Sequence, residues 1–284
     1  MNIRIQNLGT IQEYQDFVEM EKFIWRLPDY GDCIPVHILK AVQEIGGLVL
    51  GAYENTTMVG MLMIMPAYSL EDGFHHHSHI LGVHPKWVYN KVGYLLKKTH
   101  YEIAVTRGIK KVTWTYDPLQ GPNGNLNIAK LGATVSTYHI NYYGEIMGES
   151  ELISGLPTDR FWVEWSVDSE RVRSRIRGTA AKNKEQILSH MEPVNSVKYS
   201  RDNCQVITGY RTDLKSQKIL VEIPYDFQSL FDSDKETAME WRLKTRDMFE
   251  MYFKSGYTVT EFLQDKSGPR IRNYYLMERD FIIT

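Results

Sequence analysis

Three histidines at alternate positions give the clearest chemical signal in the sequence. His75, His77 and His79 lie two residues apart, and on a β-strand residues with this spacing point to the same face. Histidine titrates near neutral pH, so an imidazole in a cleft can take a proton from a substrate. The same side chains could instead form structural hydrogen bonds or bind zinc. No cysteine or carboxylate at a helpful spacing joins them, so we predict no metal site.

The histidines lead into a predicted strand, turn and helix. Apolar residues 80–83 end the strand, Pro85 marks a turn, and a helical pattern runs to a stop at Gly108. Its apolar positions are Val92, Leu95, Leu96, Thr99 and Ile103. Because a helix start gathers unpaired N–H groups and the positive end of the dipole, we predict an anion site there. The residues of this site are Asn90, Lys91, Val92, Gly93 and Tyr94.

Lys91 allows two interpretations of that helix start. Its Cβ could crowd a ligand that approaches the backbone closely, whereas its ammonium could pair with a phosphate. The alternative is an ordinary helix start whose N–H donors face water.

The composition is that of a soluble globular protein. The 284 residues carry a net charge of −2, which gives no general attraction to nucleic acid or to an acidic membrane. The two cysteines, Cys33 and Cys204, have no metal-like spacing and do not predict a disulfide framework. The N-terminus lacks the apolar core of a signal peptide, and no apolar run is long enough to span a bilayer. We therefore expect a cytoplasmic protein with no nucleic-acid or membrane partner.

The order of predicted elements places the histidine strand within a mixed sheet. A strand at residues 3–8 is followed by two helices that begin near Thr10 and Pro35, and then by a hairpin over residues 48–65. A strand at 111–116, a helix ending at Gly132 and further strands follow. This series predicts an α/β fold with a mixed, twisted sheet flanked by helices.

The stretch His77-Ser-His-Ile-Leu-Gly-Val-His84, with its turn and Gly-bearing helix start, resembles the fourth strand and third helix of the GNAT N-acetyltransferase superfamily. The serotonin N-acetyltransferase branch is especially similar, since it also places His-x-His before a Leu-x-Val-His run. Runs at Trp114–Leu119, Asn125–Ala133 and Gly155–Arg160 resemble a poorly characterised group of acetyltransferases in the same superfamily. Together the resemblance covers residues 1–166, which we predict to be a GNAT-like domain.

The resemblance implies that the chain binds acetyl-CoA as co-substrate. The backbone around Leu81 and Val83 would hold the pantetheine, and the helix start would hold the pyrophosphate. The family's loop pattern, Gln/Arg-x-x-Gly-x-Gly/Ala, falls on Val88–Gly93, where only Gly93 is retained. His77 and His79 correspond to the pair that deprotonates the amine, directly or through water.

The family often uses a tyrosine to protonate the leaving thiolate, and here its position holds Ile128. Tyr143 is the substitute that we consider, although such a tyrosine more often belongs to the core or to an interface. Asn123, in the turn-rich loop 121–125, is a further candidate for contact with the cofactor.

Residues 167–284 are predicted to form a C-terminal α/β extension. An Arg-rich run over residues 169–184 is typical of a solvated surface, although it could also bind phosphate or nucleic acid. A helix from Asp234 to Lys254 and a hairpin over 257–277 complete the extension, which is either a degenerate half-copy or a small α/β unit.

Two functions are therefore open. The first is an N-acyltransferase that moves acetyl from acetyl-CoA to a primary amine on a small molecule or a peptide. The second is a degenerate GNAT-like module that binds or regulates without catalysis. The His-x-His pair and Leu81–Val83 favour the enzyme, while Val88 and Lys91 favour the module. The sequence predicts neither the acceptor nor the oligomeric state.

Overall fold

The computed structural model describes residues 2–144, 155–180, 187–188, 190–200 and 204–283. Within these residues the chain forms two compact units. The first contains residues 2–114 and Trp165–Asp168, and the second contains the other described residues. The division falls inside one strand, after Trp114. The boundary after residue 166 remains a prediction.

The first unit contains an N-terminal strand, two helices, a three-stranded meander and a crossover helix. In chain order these are β1 (Ile3–Asn7), α1 (Ile11–Trp25), α2 (Val36–Glu44), β2 (Leu48–Glu54), β3 (Thr57–Ser69), β4 (Gly73–Val83), α3 (Val92–Thr106) and β5 (Lys111–Tyr116). The strands are hydrogen-bonded in the order β1-β2-β3-β4-β5. All pairs are antiparallel except β4 with β5, which are parallel because α3 returns the chain between them.

The local sequence explains why α1 and α2 begin where they do. The Thr10 hydroxyl accepts a hydrogen bond from the N–H of Glu13, and the Glu13 carboxylate accepts one from the N–H of Thr10, which forms a capping box. Pro35 has extended backbone and precedes the first turn of α2, as predicted. Arg26 ends α1 in the left-handed conformation.

The two faces of this sheet carry separate apolar cores. Residues of α1 and α2, such as Phe17 and Leu39, pack on one face. Residues of α3, such as Val92 and Leu96, pack on the other. Gly60 permits the approach of α3, since a Cβ there would lie 2.7 Å from a methyl carbon of Val92. The sheet therefore holds β4 between helices on both sides.

The second unit contains the remaining helices and strands. They are α4 (Gly121–Gly124), continued by a π-helix (Asn125–Lys130), then β6 (Thr134–His139), β7 (Arg160–Ser166), α5 (Glu170–Arg177), β8 (Asn195–Tyr199), β9 (Gln205–Tyr210), β10 (Lys218–Ile223), α6 (Phe227–Ser233), α7 (Lys235–Lys254), β11 (Tyr257–Asp265) and β12 (Arg272–Arg279). Its sheet order is β7-β6-β11-β12-β10, and in the described part of the chain β8 and β9 form a separate two-stranded sheet. The last two residues of β7 belong to the first unit.

The C-terminal extension continues a sheet, because β11 pairs antiparallel with β6 at Val259 and Val135. The predicted long helix and final hairpin are present as α7, β11 and β12. The Arg-rich run was predicted to form a solvated surface, but two of its arginines are paired inside the second unit. Arg171 and Arg175, in α5, both pair with Glu261 and donate to the carbonyl oxygens of Gly132 and Ala129. Residues 181–184 of the run lie outside the described residues.

Candidate functional site

Strands β4 and β5 share only a short ladder among the described residues. Their parallel ladder contains only His76 with Val112 and His77 with Thr113. β4 nevertheless continues to Val83, still paired with Gly60 of β3 on its other edge. Among the described residues, the edge of β4 turned toward β5 therefore has no ladder partner from Ser78 onward, and we call this unpaired edge the β4–β5 opening. Such an edge can pair with an extended ligand through backbone groups.

A β-bulge lies at the start of the β4–β5 opening. Ile64 of β3 pairs with Ser78, and Met63 pairs with Ile80, so His79 is the extra residue on β4. A bulge bends its strand and changes the direction of the side chains around it. His79 is exposed here, whereas its neighbour Ser78 is buried.

The two histidines predicted as catalytic lie next to each other. The His77 and His79 ring centroids are 6.3 Å apart. The His77 Nδ1 lies 3.0 Å from the Thr113 hydroxyl, which fixes the ring over β5. Burial, reinforced by nearby His79 and Lys97, lowers the pKa of His77 to about 4. Desolvation also lowers the pKa of His79, so both imidazoles are neutral at pH 7.

His75, the third residue of the histidine series, has a separate environment. It is buried, and its Nδ1 lies 3.0 Å from the carbonyl oxygen of Gly73. Among the residues that the structure describes, no group of three potential metal ligands comes together.

The opposite face of β4 carries a buried polar cluster that the sequence analysis missed. The Lys97 ammonium donates to Ser78 Oγ at 2.9 Å and lies 3.7 Å from the centre of the Trp114 ring. His76 and His100 are joined by a 3.0 Å contact between ring nitrogens. Burial lowers the pKa of Lys97 to about 7. The signal for this cluster was the presence of Lys97 and His100 on the apolar face of a helical pattern.

The start of α3 has the features of an anion site. Lys91 adopts the left-handed conformation (φ 62°), at the position where the family loop pattern has its first glycine. Its side chain is exposed. α3 has no side-chain cap and no acidic residue in its first turn, unlike α1 with its capping box and Glu13. The N–H groups of Val92 and buried Gly93 precede the first helical hydrogen bond, from Leu95 to Lys91.

A six-residue 3-10 helix, Pro85–Asn90, connects β4 to α3. The sequence predicted only a turn there. Trp87 from this segment packs, half-buried, against the core on the α3 face. The tryptophan thereby anchors the segment that leads into the helix start.

Tyr143 and Asn123 belong to the second unit. The Tyr143 hydroxyl lies 3.1 Å from Thr115 Oγ1, and the Arg160 guanidinium lies 5.2 Å from the centre of the tyrosine ring. Asn123 is exposed in the first turn of α4. Ile128 is fully buried, as befits a core residue. The roles of Tyr143 and Asn123 remain predictions.

The element order in the first unit agrees with the order that the resemblance implies: a strand, two helices, then a hairpin that leads into the histidine strand. The parallel β4–β5 pair and the intervening α3 complete this arrangement. The predicted α/β fold, in which helices flank a mixed sheet and a C-terminal α/β extension follows, is confirmed. No family model and no curated protein sequence matches the chain.

Solved structures of acetyltransferases are similar to this chain. A putative acetyltransferase from Salmonella typhimurium, solved with its cofactor acetyl-CoA, is 17% identical, with a TM-score of 0.47 over 58% of this chain and 94% of that one. The ribosomal-protein-S18-alanine N-acetyltransferase from Escherichia coli is 15% identical, with a TM-score of 0.44 over 58% and 94%. A GNAT-family acetyltransferase from Streptococcus pneumoniae is 15% identical, with a TM-score of 0.45 over 57% and 98%. At these TM-scores the likeness decides nothing about activity.

The structure also bears on membrane insertion. Across the described part of the chain, no helix combines the length and the apolar character that crossing a bilayer requires.

Proposed function

We propose that the protein transfers an acyl group, most simply acetyl, from acetyl-CoA to a primary amine. The observation that supports this most strongly is the β4–β5 opening, which leads along β4 to the start of α3. Acetyl-CoA can use both features. Its pantetheine arm contains amides that can pair with a strand edge, and its pyrophosphate can accept hydrogen bonds from a cluster of N–H donors. The residues present fit that group.

In this proposal the cofactor is held mainly by backbone. The edge of β4 near Leu81 and Val83 offers N–H and C=O groups to the pantetheine. The first turn of α3, at Val92 and Gly93, offers N–H donors to the pyrophosphate, and the Asn90–Tyr94 segment surrounds it. Lys91 replaces a glycine in the pattern but keeps the left-handed backbone, and its ammonium adds positive charge. Bound acetyl-CoA would supply an activated acyl carbon.

We assign the base role to His79, with His77 as the residue that positions it. A proton moving from an alkylammonium, whose pKa is near that of lysine, to an imidazole of pKa about 4 would be uphill by about 9 kcal/mol. His77 is therefore a poor acceptor for that proton. His79 is exposed at the bulge, where an amine or a bridging water can reach it.

Binding of the cofactor is tested by thermal unfolding. A ligand that binds only the folded state at a hundredfold excess over its Kd stabilises that state by about 2.7 kcal/mol. We expect acetyl-CoA to raise the melting temperature, and acetyl-pantetheine, which lacks the pyrophosphate, to raise it less. If millimolar acetyl-CoA leaves the melting temperature unchanged, the proposal fails and the chain is the degenerate module.

The base is tested by kinetics on histidine variants. We expect His79→Ala to lower kcat/KM for amine acetylation about 100-fold, the usual contribution of a general base. His77→Ala should cost less, because it removes only the contact that orients the neighbouring ring. Rates are measured across neutral pH, with His37→Ala, an exposed histidine of α2, as the control. A His79→Ala rate equal to that of the wild type at every pH would exclude this assignment.

A further inference from the structure

The β4–β5 opening has a defined apex. His77 and Thr113 form the last pair of the ladder, so Ser78 on β4 and Trp114 on β5 are the first residues past it. Both side chains belong to the face covered by α3, and both are buried. A ligand that pairs with this edge of β4 next to the ladder would therefore lie close to these two residues.

Lys97 of α3 places a positive charge at that apex. Its Nζ is within hydrogen-bond distance of Ser78 and lies over the ring of Trp114. The residue is only 2% exposed, and no carboxylate of the described residues forms an ion pair with it. The titratable groups that interact with its charge are two histidines, His77 on β4 and His100 on α3. A buried ammonium without a counter-charge strongly favours an anion beside it.

A second observation at the apex also indicates a missing acceptor. The indole Nε1 of Trp114 is buried and has no hydrogen-bond partner in the described part of the structure. Trp114 itself is 4% exposed. Buried N–H donors are nearly always paired, so an unpaired one at the apex is consistent with a ligand atom that accepts a hydrogen bond.

We propose that Lys97 is the general acid of the transfer and that it forms, with the indole N–H of Trp114, the site for the sulfur of CoA. This inference rests on the proposed function. As the amine nitrogen bonds to the acyl carbon, the C–S bond breaks and its electron pair goes to sulfur. The Lys97 ammonium gives that sulfur a proton, which yields the CoA thiol and neutral lysine. The alkylammonium loses two protons, one to His79 before the attack and one to solvent as the amide forms, and Lys97 regains one from solvent.

The position of Lys97 explains how the chain could protonate the leaving thiolate without the tyrosine that the family uses. Ile128 stands at the tyrosine position and is fully buried. Lys97 reaches the opening from α3 instead. Because burial brings its pKa to about 7, both of its protonation states are populated at neutral pH, which suits a group that must give and regain a proton in each turnover.

The test is the ionisation of the thiol of bound CoA, followed by the ultraviolet absorbance of the thiolate. Spectra recorded with saturating desulfo-CoA, which has no thiol, are subtracted from spectra recorded with saturating CoA. The subtraction removes the absorbance changes caused by ionisation of Cys33, Cys204 and the tyrosines. In the wild type we expect the thiol to titrate about 1–3 pH units below free CoA, the usual effect of an adjacent cation. In Lys97→Met that shift should disappear while CoA still binds. The matched control is Lys98→Met, since Lys98 is an exposed neighbour paired with Glu102.

The outcomes separate the two proposals. If CoA does not bind the wild type, the proposed function and this inference both fall. If CoA binds and its thiol titrates as in free solution, only this inference falls, and the same holds if Lys97→Met retains the shift. Trp114→Phe, which keeps the ring and removes the N–H, should reduce the shift in part. The wild-type titration decides the question even if a variant fails to fold.

Discussion

Replacing Asp117 with asparagine is expected to lower the free energy of unfolding by about 3–5 kcal/mol, because it leaves a buried guanidinium without its counter-charge. Arg242 of α7 donates two hydrogen bonds to the Asp117 carboxylate, at 2.8 and 2.5 Å, and both side chains are almost fully buried. The Nε of Arg242 has no hydrogen-bond partner in the described residues, so the carboxylate provides its main compensation. The pair joins the end of β5 to the C-terminal extension within the second unit.

Chemical or thermal unfolding of Asp117→Asn measures this effect. Lys254→Met is the control, because it removes an exposed i,i+4 pair with Glu250, which is worth only a few tenths of a kcal/mol. The double variant Asp117→Asn, Arg242→Met should recover much of the loss, since no buried charge is left unpaired. A loss below about 1 kcal/mol in the single variant would show that the pair is not buried as described.

The same pair predicts a pH dependence. Burial raises the pKa of Asp117, but the guanidinium of Arg242 outweighs it and holds the pKa below its ordinary value. The stabilisation is therefore present above the ordinary pKa of an aspartate and is lost as the pH falls through the lowered value.

Replacing Lys97 with methionine is expected to stabilise the protein at acid and neutral pH, by on the order of 3–5 kcal/mol below pH 7. Lys97 has a pKa of about 7 in the folded chain, against 10.5 as its ordinary value. Between these values the unfolded chain binds the extra proton, so the stability of the wild type rises as the pH increases. Below pH 7 the folded chain must keep a buried charge, which methionine of similar length avoids.

Unfolding of the wild type and of Lys97→Met at several pH values checks this expectation. From pH 7 to pH 9 the wild type should gain about 2 kcal/mol relative to the variant, the amount that follows from a folded-state pKa near 7. Lys98→Met should show no such trend, because that side chain is exposed. If the difference between wild type and Lys97→Met is the same at every pH, Lys97 is not a buried titrating group.

Local patterns predicted much of the fold. The cap at Thr10, the proline before α2 and the apolar spacing of Val92 and Leu96 are properties of short segments, and the corresponding helices begin as expected. The final hairpin follows from two apolar runs around a turn. These elements need no knowledge of their partners, because capping, turn chemistry and periodicity act within a few residues.

The parts that the sequence did not predict depend on tertiary partners. The bulge at His79 arises from its register with β3, and no local pattern shows which residue will be the extra one. The burial of Lys97 depends on Ser78 and Trp114, which approach it only in the folded sheet. Arg171 looked solvated because its partner, Glu261, is 90 positions away in the chain. The hairpin of β8 and β9 carried too weak a periodicity to be recognised.

The N-terminus of α7 in the C-terminal extension differs from that of α3 in a way that matters for phosphate binding. α7 resembles α3 in being a long helix that ends before a glycine and a strand, but it begins with Asp234, whose carboxylate accepts the N–H of Thr237, and Glu236 follows in the first turn. Negative charge already occupies the end of α7 where a phosphate would have to lie. The extension therefore offers no second site of the kind proposed at α3, and we expect a titration with acetyl-CoA to saturate at one equivalent per chain.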